Sequence, residues 1–164
     1  MREFMPRPLT AEAFAPFGDV VEAREEGDVR DINYGHTRRF HDLAGLDVAA
    51  QGGRPIVSLF RAEPLQPLVL RIMERHPLSS QTFVPLQGRP YLVAVAPAGD
   101  FDPWEMQVFL AEGGQGVNYR RGVWHHFVLP LQPASDFLVI DREGPGDNCD
   151  EVELAPAVQA TVRL

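Results

Sequence analysis

Short apolar runs, broken at close intervals by fifteen prolines and fourteen glycines, make up most of this chain. Several of them alternate apolar and polar positions with a period of two, which turns one face of an extended segment toward a core and the other away from it. The pattern predicts an all-β sandwich or barrel, with strands over 19–22, 55–61, 68–76, 81–85, 91–96, 106–110, 123–129 and 137–141. One short helix is predicted near the start, and two at most: Thr10 is placed to cap a run over 11–17, and Gly18 to end it in the left-handed conformation. No repeat, low-complexity stretch or linker divides the chain, so residues 1–164 read as one domain, with a peripheral tail after Leu154.

Composition narrows the chemistry. The formal charge of -8 is spread along the chain with no basic block, which argues against nucleic acid as a partner. Neither a leader-like segment nor an apolar stretch of membrane-spanning length is present, so a soluble, cytoplasmic protein is expected. Cys149 is the only cysteine; it excludes an internal disulfide, and its acidic neighbours disfavour the thiolate. The chain has no lysine, which excludes Schiff-base chemistry and leaves arginine forks as the means of binding a carboxylate.

Within 68–76, alternation places Leu70, Ile72, Glu74 and His76 on one face, so an apolar face runs into ionisable groups. Glu74-x-His76, then Gln81, then Gly88 parallels the spacing of the first cupin motif, although Glu74 stands where that motif has its first histidine and Gln81 where it has glutamate. Gly114, Arg120, Gly122 and His125 follow the intervals of the second cupin motif. In 123–129, alternation sends His125 and His126 to opposite sides, so His125 faces inward while His126 packs outside or across a subunit boundary. Glu74, His76, Gln81 and His125 are then either a mixed nitrogen and oxygen site for a divalent metal or a hydrogen-bonded core network. Trp124 and Phe127 read as packing. Residues 147–150 read as a solvated turn, whereas Asp141 and Arg142 end a strand where side chains reach a barrel mouth. Arg39, Arg61, Arg121 and Arg142 are the candidate partners for a substrate carboxylate.

Longer segments carry a more specific likeness. Glu74-Arg75-His76-Pro77-Leu78, Gln115-Gly116-Val117-Asn118-Tyr119, Gly122-Val123-Trp124-His125-His126 and the run from Asp136 to Arg142 closely resemble the ureidoglycolate lyase family, as do the opening residues and Asp147-Asn148-Cys149-Asp150. The resemblance implies a cupin-like β-barrel or jelly roll, a homodimer, and cleavage of (S)-ureidoglycolate to glyoxylate and urea in allantoin breakdown with a divalent metal, nickel in the family. It departs at Arg120, where the family commonly has histidine, and at His36, read as a surface residue. On this reading Glu74, His76, His125 and Gln81 hold the metal, and Glu74, His76 and His125 carry the chemistry. Arg61 and Arg142 are the first choices to hold the substrate carboxylate, while Asn118 and Tyr119 orient the ureido group. Two rival readings are an amidohydrolase releasing ammonia and a non-catalytic cupin that binds a small carboxylic acid.

Overall fold

The computed structural model describes residues 1–131 and 133–164, and the expected all-β architecture is what the chain forms. One sheet runs in the order Asp150–Glu153, Ile72–Arg75, Trp124–His125, Tyr91–Ala96, Gln107–Ala111, Arg7–Pro8, with Leu129–Pro130 also paired to Tyr91–Ala96. The second runs Gly18–Val21, Gly116–Tyr119, Gln81–Pro85, Ser135–Glu143, Arg54–Ala62. Between them lies a core of Phe14, Phe17, Phe83, Tyr91, Val93, Val95, Phe109, Val117, Tyr119 and Phe137.

The strand Tyr91–Ala96 is buried at all six positions. Tyr91, Val93 and Val95 point into this core, while Leu92, Ala94 and Ala96 join a second cluster with Leu70, Met73, Trp124 and Ala160. A run buried on both faces reads as continuously apolar rather than alternating, which is the pattern of this segment. At one end of the core, Phe14 lies with its centroid 5.8 Å from Phe17, 5.9 Å from Phe109 and 6.1 Å from Tyr119, the last two edge to face. Such pairs add about 0.5–1.5 kcal/mol each to the area they bury.

Several expected elements take a different form. The helix is Ala11–Phe14, capped by Thr10, whose hydroxyl accepts from the Ala13 amide at 3.2 Å. Gly18 opens a strand at φ +153° instead of closing the helix. The expected strand 68–76 breaks at Arg71, whose carbonyl accepts from the Leu154 amide. Val69–Leu70 goes to a small sheet with Ala160–Val162 and Arg2–Phe4, while Ile72–Arg75 stays in the first sheet. The break shifts the alternation: Leu70 and Met73 are fully buried in one cluster, so Leu70 does not share the face of Glu74. The tail is not peripheral either, because Ala160 is fully buried between the Arg2–Phe4 and Val69–Leu70 strands. The segment 123–129 divides into Trp124–His125 and Leu129–Pro130, leaving Phe127 between them 45% exposed. No helix among the described residues is long and apolar enough to cross a membrane.

Candidate active site

Strand register builds the centre of the site. Trp124–His125 lies antiparallel between Ile72–Arg75 and Tyr91–Ala96, which places His125 directly opposite Glu74 on one side and Val95 on the other. Directly opposed residues have their Cβ atoms about 5 Å apart, so carboxylate and imidazole meet through backbone pairing alone. His125 Nδ1 is 3.8 Å from Glu74 Oε1, and the His76 ring centroid is 5.2 Å from that of His125. Tyr119, arriving from the second sheet, stacks on His125 with centroids 4.1 Å apart and planes 5° from parallel. The Gly116–Tyr119 strand that delivers it is absent from the sequence expectation, being four residues long and set between glycines and arginines. Its one signal is the alternation of Val117 and Tyr119 around Asn118.

His76 is held at both ring nitrogens. Nδ1 is 2.7 Å from the Asn148 carbonyl oxygen, and Nε2 is 3.0 Å from Gln81 Oε1. Gln81 Nε2 donates in turn to Asp141 Oδ2 at 3.1 Å. Asn148 also ties down its neighbourhood, accepting from the Leu78 amide and donating to Ser79 Oγ. Residues expected as a solvated turn therefore include the one that sets the His76 ring, a role only the non-local fold reveals. Gln81 acts on the same ring, and ligation through Nε2 requires its amide to swing aside.

Burial sets the electrostatics. His125 is 1% exposed, and desolvation, followed by the charge of His76, lowers its pKa to about 3, leaving a neutral imidazole. Desolvation raises the pKa of Glu74, with Glu151 adding to the rise and His76 opposing it. Tyr119 is pushed up by burial and by Glu74, so its phenol keeps its proton. At the rim, Cys149 Sγ lies 4.0 Å from Glu74 Oε2, and burial together with the surrounding carboxylates raises its pKa.

Glu74, His76 and His125 each offer one ligand atom, all within 4.8 Å of one another, a group able to hold a metal ion. The donor set suits a divalent ion that accepts imidazole and carboxylate. His125 Nε2, buried and without a hydrogen-bond partner among the described residues, fits that role.

The other expected site residues are placed differently. Asn118 is buried, but its amide is filled by Thr82 Oγ1, Asp19 Oδ2 and the Gly45 carbonyl, on the strand face opposite Tyr119. Arg142 gives its fork to the carbonyls of Ala50 and Pro145. Arg61 pairs with Asp136 at 2.7 Å, five strand residues from Asp141 and thus roughly 17 Å along the sheet from the Gln81–Asp141 bond. None of these three joins the Glu74, His76 and His125 group, whereas Tyr119 does.

His126 is buried within the chain itself: its amide donates to the Ala94 carbonyl, and its ring lies against Phe127 with Nδ1 2.9 Å from the Phe127 carbonyl. Burial lowers its pKa from 6.5 to about 4. Between those values the unfolded chain binds more protons, so stability is intact above pH 6.5 and is lost as pH falls toward 4. The loss is on the order of 3 kcal/mol. In urea titrations across pH 7 to 4, His126→Gln should show a shallower decline than the wild type; equal slopes would remove this account.

A family model described as ureidoglycolate lyase matches residues 1–161. A ureidoglycolate lyase of Burkholderia cepacia is 57% identical over 148 residues, 89% of this chain and 83% of that one. One from Burkholderia mallei is 51% identical over 162 residues, 98% and 95% of the two chains, and one from Stutzerimonas stutzeri is 55% identical over 92% and 89%. Among solved structures, Bacillus subtilis oxalate decarboxylase aligns over 61% of this chain and 24% of its own, at 18% identity and a TM-score of 0.43, an overlap too partial to bear on function. Matched along nearly its whole length, the chain belongs to the ureidoglycolate lyase family.

Proposed function

We propose that this chain cleaves ureidoglycolate to glyoxylate and urea, acting in allantoin breakdown as a single cytoplasmic domain. The observation that carries the reading is the register pair of Glu74 and His125, with His76 and Tyr119 closing around it, in a chain of this family. Ureidoglycolate is a carbinolamide. Its hydroxyl proton must leave, the carbon–nitrogen bond must break with its electrons going to nitrogen, and that nitrogen must gain a proton.

Glu74 has one oxygen for each role: Oε1 faces His125, and Oε2, turned toward Cys149, is placed to take a proton and return it. Asn148 and Gln81 hold His76 in place, and the stacked Tyr119 fixes the His125 ring. Glu74, His76 and His125, with Gln81 beside them, would hold a divalent ion, nickel being the one implied by the family resemblance, and that ion would supply Lewis acidity at the substrate hydroxyl.

The homodimer implied by the resemblance is supported by the outer face of the second sheet. There the edge strand Arg54–Ala62 leaves Val57 and Leu59 about two-thirds exposed.

Metal-replete protein given racemic ureidoglycolate should release urea and glyoxylate in equal amounts, at twice the chain mass by light scattering. Ammonia in place of urea would make the chain a hydrolase. A folded, metal-bound protein that forms no product would make it a binding protein.

A further inference from the structure

A reaction centred on a carbinolamide needs its carboxylate held still, and the two arginines favoured on sequence grounds are occupied elsewhere. We infer that Arg121 is the carboxylate clamp of this site, an inference that rests on the lyase reading above. Arg121 lies in the turn between Gly116–Tyr119 and Trp124–His125, the two strands that carry the stacked pair Tyr119 and His125. The next residue, Gly122, donates its amide to the His76 carbonyl at 3.0 Å, so the turn is fastened to the backbone of the second imidazole.

The guanidinium is half used. One Nη donates to Asp47 Oδ1 at 2.5 Å, while Nε is buried with no acceptor among the described residues. Arg121 is the one arginine there with a buried side-chain N–H in that condition. The side chain is 37% exposed, so a carboxylate can reach the fork through the Nη hydrogens that Asp47 does not use, while Nε itself is covered.

Asp47 holds the arginine from a fixed position. Its amide donates to Ser80 Oγ at 2.8 Å, and the Ser80 amide donates to its carbonyl at 2.9 Å. Ser80 precedes Gln81, the residue on His76 Nε2. Arg121, Asp47 and the His76–Gln81 pair thus form one connected wall. The other arginines near that wall are engaged: Arg75 with Asp150 and the Gly99 carbonyl, Arg120 with the Ala15 carbonyl, Arg142 with Ala50 and Pro145.

The test uses the full chain with Arg121→Gln and Arg121→Lys, read by steady-state kinetics on ureidoglycolate and by calorimetric titration with glyoxylate. Arg121→Gln should raise KM and weaken glyoxylate binding by about 10- to 100-fold, the effect of losing a charge-assisted pair, with kcat changed much less. Arg121→Lys keeps the charge but loses the fork, so it should fall between, and it serves if the glutamine variant fails to fold. Variants within twofold of the wild type in both readouts would overturn the assignment and leave the lyase reading standing. Glyoxylate binding that depends on Arg121 in a protein without turnover would support the clamp and overturn the lyase reading. A wild type that neither turns over ureidoglycolate nor binds glyoxylate would overturn both.

Discussion

Replacing His125 by alanine is expected to lower kcat/KM for ureidoglycolate by about 10²–10⁴-fold and to weaken divalent-metal binding in parallel. The size of the effect follows from position. His125 is the innermost of the three candidate ligands, paired across the strands with Glu74 and Val95, stacked by Tyr119 and excluded from water. Burial keeps its imidazole neutral through the working pH range, so one ring nitrogen always offers a lone pair. A water filling the cavity left by alanine cannot reproduce a fixed nitrogen donor. Because removing a buried ring also costs stability, Glu74→Gln is the companion variant: it keeps shape and volume, removes the charge, and should lose turnover with little change in melting temperature. Activity retained in a folded His125→Ala protein would remove His125 from the chemistry.

Gly18→Ala is expected to destabilise the fold by about 2–6 kcal/mol, a large share of the 5–15 kcal/mol typical of a domain. Two costs add. Gly18 sits at φ +153°, a region nearly closed to L side chains and worth about 1–3 kcal/mol of strain. A Cβ built there would lie 1.8 Å from the Asn118 carbonyl oxygen, so the paired strand must move, at a further cost of about 1–3 kcal/mol. The partner of Gly18 in the ladder is Tyr119, the residue stacked on His125, so displacement of that strand reaches the site as well. Urea denaturation should show the drop in midpoint; a wild-type midpoint would mean that the backbone at 18–21 relaxes without consequence.

What the sequence disclosed, and what it hid, follows the range of the interactions involved. Tyr91–Ala96 and Gln81–Pro85 were readable from their apolar runs, since burial by a neighbouring sheet writes itself into local composition. Glu74, His76 and His125 were readable because alternation within two segments pointed them inward, and they do converge. The break at Arg71 was not readable, because it comes from an amide 83 positions later, at Leu154. Nor was the part played by Asn148, which looks like any polar turn residue until the fold sets its carbonyl against His76. The arginines were the hardest case. Fifteen side chains carry the same fork, and only the acceptors supplied by distant carbonyls and carboxylates distinguish Arg61 and Arg142, already engaged, from Arg121, the arginine with a buried N–H left unpaired among the described residues.

The strand Tyr91–Ala96, paired along both edges and covered on both faces, also fixes how this protein breathes. Segments with that much pairing and burial open only when the whole domain opens, whereas turns and edges open locally at far smaller cost. Val95, the register partner of His125, belongs to the slow class, so the strand against which His125 is set keeps its geometry through the motions that open turns and edges elsewhere.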